Sequence, residues 1–127
     1  MIKRSKVKKE LRSLIEKADR ALQDYYRSLK LPCFICGMPM SCVHHFVEKS
    51  KSAGLRYYPP NLIPICSVCH SKHHLSGDPH IVATIMIKKG RAWYKRLNAK
   101  RIERKGWSLD KTLAGKELEK WTKKLSQ

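Results

Sequence analysis

Acidic residues are scarce in this chain. Its 127 residues include 10 Asp plus Glu against 28 Lys plus Arg, a formal net charge of +18. A charge that large opposes compaction and calls for a polyanionic partner. Nucleic acid is the first expectation, because each neutralised phosphate releases a counterion; an anionic membrane surface is the second. Long apolar runs are also missing. No stretch of about 18 apolar residues exists, which excludes a membrane-spanning helix. Met1 to Lys9 is basic, but no apolar segment follows it, so no secretory signal is expected. Internal repeats and low-complexity tracts are absent too. The expected compartment is a reducing cytoplasm, where closely spaced cysteines are more often metal ligands than disulfides. The length fits a single domain, 1–127, with one modest core.

What is present falls into three segments. The first, 5–30, reads as a basic amphipathic helix. Val7, Leu11, Ile15, Ala18, Leu22, Tyr25 and Leu29 form an apolar seam, and Pro32 ends it. The second, 31–77, holds all five cysteines and five of the six histidines. Its short apolar runs Cys42–Val47 and Leu62–Ile65 suit the strands of a small hairpin. A helix is expected from Ser67 onward. The third, 78–127, is helical again. Asp78 can cap a helix with Pro79 in its first turn and Gly90 at its end. A further helix spans Arg91 to Lys105. Ser108 is expected to cap a last one, with Asp110 in its first turn and Leu109, Leu113, Leu118, Trp121 and Leu125 on one face. The overall expectation is an α+β fold.

Two CxxC pairs, Cys33/Cys36 and Cys66/Cys69, lie thirty positions apart. Zinc takes four soft or borderline ligands in a tetrahedron, and each CxxC turn presents two thiolates to one ion. The central segment has few large apolar residues, so zinc should supply much of its folding energy. Reduced structural cysteines or a redox pair are the alternatives, and neither accounts well for two pairs around a histidine-rich hairpin. Cys42 is left over and reads as a small buried apolar side chain. His44 and His45 are neighbours on a strand, so their rings face opposite sides and should do different jobs. His70 adjoins Cys69, and His74 shares its helical face. Histidine can take a proton from water near neutral pH, and a bound cation can stabilise a departing oxygen. These residue types therefore suit phosphodiester hydrolysis.

Taken in order, Cys33-x2-Cys36, Val43-His44-His45, Asn61-Leu62 and Cys66-x2-Cys69-His70 resemble the HNH nuclease family. The resemblance implies a small ββα-metal core with a four-cysteine zinc knuckle, flanked here by N-terminal and C-terminal helices. It implies that His45 is the general base and that His44 and His70 hold a catalytic divalent ion. Asn61 would orient the base or brace the loop. His74 falls where colicin-type members carry a further metal-ligating histidine, and His73 lies one position off. A narrower set is similar to the phage NinG or Rap recombination proteins: His45-Phe46-Val47, Ser50-Lys51-Ser52, Leu55-Arg56-Tyr57, Asn61, the second CxxC and Ser76-Gly77-Asp78, with Ile87 to Gly90 and Trp107-Ser108 continuing the likeness. The chain departs from them at His70, where asparagine is expected, and in the extra His73-His74. This likeness implies a protein of phage or prophage origin in a bacterial host cell, acting on branched or recombination DNA.

The resulting expectation is a metal-dependent DNA endonuclease with structural Zn2+ and one catalytic divalent cation, Mn2+, Ni2+ or Mg2+. The nitrogen-rich ligand set favours manganese or nickel over magnesium. Lys49, Lys51, Arg56 and Tyr57 are candidate DNA contacts, with a solvated loop as the plainer reading. Trp93, Trp107 and Trp121 read as core residues rather than base-stacking platforms. The N-terminal seam is either core packing or the contact of a homodimer that would supply two sites. The rival reading is a non-enzymatic zinc-binding module that only holds nucleic acid. A basic protein on membrane surfaces would explain neither the CxxC pairs nor the histidines.

Overall fold

In the computed structural model, residues 2–127 are described, with side chains from Ser5 onward. Met1, the first residue of the expected domain, lies outside the described residues. The described residues form five α-helices and a two-stranded sheet: α1 (Ile2–Ser28), β1 (Cys42–His45), β2 (Leu62–Ile65), α2 (Ser67–Ser76), α3 (Pro79–Lys89), α4 (Arg91–Glu103) and α5 (Lys111–Leu125). The fold is α+β. No helix among the described residues is long and apolar enough to cross a membrane. Contacts divide the chain into two compact units, one made of the α1 and α5 ends and one of Lys30–Trp107.

In the first unit α1 packs on α5. α1 buries Ala18 and Leu22 of the seam together with Ala21 beside it, and α5 contributes Ala114 and Trp121. Trp121 is fully buried and tilts against Tyr25 and Tyr26, with ring centroids 5.5 and 5.7 Å away. Its indole N–H donates to Glu117 at 2.9 Å. The middle of the seam is thus covered by the chain's own last helix, the packing alternative, while Val7 and Leu29 near its ends stay half-exposed. The α5 cap differs from expectation. Asp110, not Ser108, accepts from the Leu113 N–H at 2.9 Å, because it stands one residue before the first turn.

In the second unit β1 and β2 pair antiparallel, with Cys42 opposite Ile65 and His45 opposite Leu62. β1 stops at His45, two residues short of the expected Val47. Phe46 N still reaches the Asn61 carbonyl, but Val47 N turns to the Asn61 side chain, so the ladder ends there. A 3-10 turn, Pro59–Asn61, leads into β2, and α2 follows at once. α2 ends on Gly77, whose φ of +60° closes the helix in the left-handed region. Asp78 caps α3, accepting from His80 N at 2.9 Å. The core gathers Leu55, Ile63, Ile65, Ile81, Ile85, Trp93 and Leu97 beside Cys33, Cys66 and Cys69. Trp93 donates its indole N–H to the Pro60 carbonyl at 2.9 Å, fixing α4 to the 3-10 turn.

Truncating the most buried aromatic should expose the weakness of a two-helix unit. Trp121→Ala is expected to cost about 3–5 kcal/mol, the range for deleting a buried aromatic. The loss should appear as reduced helix content on urea titration followed by circular dichroism, while zinc content is unchanged.

Candidate metal and histidine site

The site is built on two turns and two strands. Cys33 and Cys36 sit in a turn closed by Gly37 N donating to the Cys33 carbonyl at 2.9 Å. Gly37 has a φ of +81°, a conformation that favours glycine. Phe34 N bonds the Pro64 carbonyl at 2.9 Å, which ties this turn to β2. Cys66 follows β2 directly and caps α2, its sulfur accepting from Cys69 N at 3.4 Å. The Cys36 and Cys66 sulfurs are 3.6 Å apart, and all four cysteine sulfurs lie within 4.8 Å of one another. Zinc–sulfur bonds of about 2.3 Å in a tetrahedron place sulfurs about 3.8 Å apart, so the cluster fits that ion.

The protonation chemistry supports the same fit. Burial raises the Cys33 thiol, but hydrogen bonds with the backbone of Cys36, Cys66 and Ile35 outweigh it and bring the group down to about 7. Cys69 is pushed up to about 12, first by burial and then by the sulfurs of Cys66 and Cys36 and the charge of Cys33. Four thiols this close cannot all ionise unaided; a shared cation removes that conflict. The cluster could therefore hold a zinc ion.

The second cluster lies on the other side of Cys69. His44 on β1 meets His70 and His74 on α2, and donor nitrogens of the three lie within 4.8 Å of one another. His70 Nε2 and His74 Nε2 are 2.8 Å apart. That is hydrogen-bond distance, one ring donating to the other, and the three-nitrogen set could instead hold a metal ion. His73 stacks edge-on against His44 with centroids 4.7 Å apart but is outside the three-donor set. His44 is 4% exposed, and its imidazolium is disfavoured down to about 3. Burial is the main cause, followed by charge on His73, His70, His74 and His45. His70 is lowered by burial, then by His74, His73 and Lys49. Both therefore keep neutral, lone-pair-bearing rings near neutral pH. Cys42, expected to be plain packing, instead sets its sulfur 3.5 Å from His70 Nδ1 and so borders the site.

His45 points the other way from His44, as adjacent strand residues do. Its Nε2 lies 2.8 Å from the Arg56 carbonyl oxygen. A carbonyl only accepts, so Nε2 is the nitrogen that carries a proton. Asn61 is fully buried. Its Oδ1 accepts from Val47 N at 2.8 Å, and its Nδ2 donates to the carbonyls of Val47 and Leu55, each at 3.1 Å. These bonds brace the loop that presents the Arg56 carbonyl. The expected contact residues separate. Lys49 and Lys51 are exposed and Arg56 is half-buried, but Tyr57 is 5% exposed and packed inward, so it offers no ring to a ligand. Trp107, expected in the core, is 45% exposed. It lies past the end of α4, where no helix face carries it inward.

Two outcomes follow. Asn61→Ala leaves three backbone groups without their partner, at about 1–3 kcal/mol for each that stays unsatisfied. The urea midpoint should fall markedly, with Asn61→Asp also destabilising because it loses both donors. For His44 the unfolded ring takes up a proton below 6.5 that the folded ring refuses down to about 3. Its contribution is complete above pH 6.5 and is lost as pH falls toward 3. Without added divalent ion, wild-type protein should therefore lose more stability on acidification than His44→Phe, compared by urea midpoints at stepped pH.

Comparison with known proteins bears on the segment containing both clusters. No curated protein and no solved structure matches the chain. Residues 33–76, which run from the first CxxC turn through the hairpin to the end of α2, match the HNH endonuclease family model, so this segment is similar to HNH endonuclease domains.

Proposed function

We propose that this protein is a metal-dependent DNA endonuclease of the ββα-metal type. One arrangement carries the proposal: β1 turns His45 to a backbone carbonyl on one side and His44 to His70 and His74 on the other. The match of residues 33–76 to HNH endonucleases supports it. A divalent ion bound by His44, His70 and His74 would neutralise phosphate charge and stabilise the departing 3′ oxygen. His45, its tautomer held by the Arg56 carbonyl, takes a proton from the attacking water at Nδ1. Asn61 acts through the loop it braces. The four cysteines hold structural zinc, and Cys69 sets the first turn of α2 that aims His70. Lys49, Lys51 and Arg56 supply positive charge along the loop for the phosphate backbone. On the resemblance read from the sequence, branched DNA is the first substrate to try.

His45→Ala should lower nicking of plasmid DNA by about 100-fold or more, the usual contribution of a positioned base. Zinc content and DNA affinity should stay near wild type. Manganese or nickel should support cleavage better than magnesium, given three imidazoles. Wild-type protein that cuts neither duplex, four-way junction nor single strand with any of these ions would leave the zinc-binding, nucleic-acid-holding module as the reading.

A further inference from the structure

Away from the histidines, a cleft of about 480 Å3 opens between the loop at Ser50–Ala53 and the end of α4. Its polar wall is cationic: Lys51, Arg101, Arg104 and Lys105. From Arg91 to Lys105 the chain carries seven Lys and Arg against one acid, Glu103. That carboxylate is engaged by Lys100 at 2.8 Å. The aromatic wall is Trp107, whose indole is 45% exposed. Arg104 is held in place on several sides. Its guanidinium donates to the Gly54 carbonyl at 3.0 Å and lies over Tyr58 at 4.9 Å and over Trp107 at 4.3 Å. Gly54 is required for this approach, since a Cβ there would stand 2.5 Å from the Arg104 Cβ.

We propose that this cleft binds an unpaired nucleotide, with its base stacked on Trp107 and its phosphate on Lys51, Arg101 and Lys105. Bare cationic surface would serve any polyanion. A half-exposed indole with a fixed guanidinium over one face serves something narrower, a flat π-system stacked on the other face next to a negative charge. In a duplex the bases are stacked on one another, and only the phosphates would reach the wall. A nucleotide outside the stack presents both groups at once, and the volume is in the range of small-ligand sites. The loop that lines the cleft continues to Arg56, whose carbonyl bonds His45. The inference goes beyond the nuclease reading and concerns binding alone.

The test uses full-length, zinc-loaded protein in a His45→Ala background, so that DNA is not consumed. Affinities are measured for oligothymidylate, an abasic oligonucleotide of equal length and a blunt duplex at one salt concentration. Trp107→Leu should weaken oligothymidylate binding about ten-fold, within the range for losing one stacked base. Duplex binding should change less than about two-fold, and Trp107→Phe should restore most of the loss. The abasic strand should bind the parent as weakly as oligothymidylate binds Trp107→Leu. Equal loss on single strand and duplex, no loss on either, or abasic binding as tight as oligothymidylate would each overturn the proposal. Unchanged zinc content and circular dichroism show that the variants are folded.

Discussion

The hairpin of this protein closes around one buried amide. Asn61 sits at the end of a 3-10 turn and satisfies backbone groups of Val47 and Leu55, at the start and near the end of the loop between the strands. A buried amide is costly unless its donors and acceptor are all used. Here they are, so the loop is held in one path. That path carries the Arg56 carbonyl to His45, and it gives Trp93 a Pro60 carbonyl to bond. The orientation of the candidate base and the seating of α4 therefore share one origin.

β1 then divides the labour. Because strand side chains alternate, two adjacent histidines reach different neighbourhoods without any bulge. His45 meets backbone; His44 meets three other imidazoles in a buried place that keeps it neutral. α2 starts on Cys66 and presents His70 one residue after Cys69, so the sulfur cluster and the nitrogen cluster share a single helical turn. Cys42 extends that sharing, with its thiol against the far nitrogen of His70.

Much of this was legible in the sequence because ligand chemistry imposes short, fixed spacings. The two CxxC pairs predicted a common cluster, and the cysteines form one. The apolar runs located both strands, and Asp78 and Gly90 bounded α3. Other features depend on contacts that no local pattern encodes. The three bonds of Asn61 run to residues well upstream, so an Asn after two prolines read as an ordinary turn. Tyr57 lay in a polar loop and read as exposed, yet it folds inward beside Leu55. Trp107 resembled the other two tryptophans until the end of α4 left it half outside. The spacing of four put His74 on the face of His70, but the approach of both to His44 needs α2 packed on β1. The pairing of α1 with α5 joins opposite ends of the chain, and no periodicity in either helix names its partner.

Cys66 answers to two demands at once. It contributes a sulfur to the four-cysteine cluster, and that sulfur also caps α2, receiving the Cys69 N–H. The first demand admits only a metal ligand, while the second admits any short side chain with an acceptor. A chain whose cluster held no metal would be free at Cys33 and Cys36 but would still favour serine, threonine, aspartate or asparagine at position 66, so the head of α2 keeps its constraint whatever the sulfurs hold.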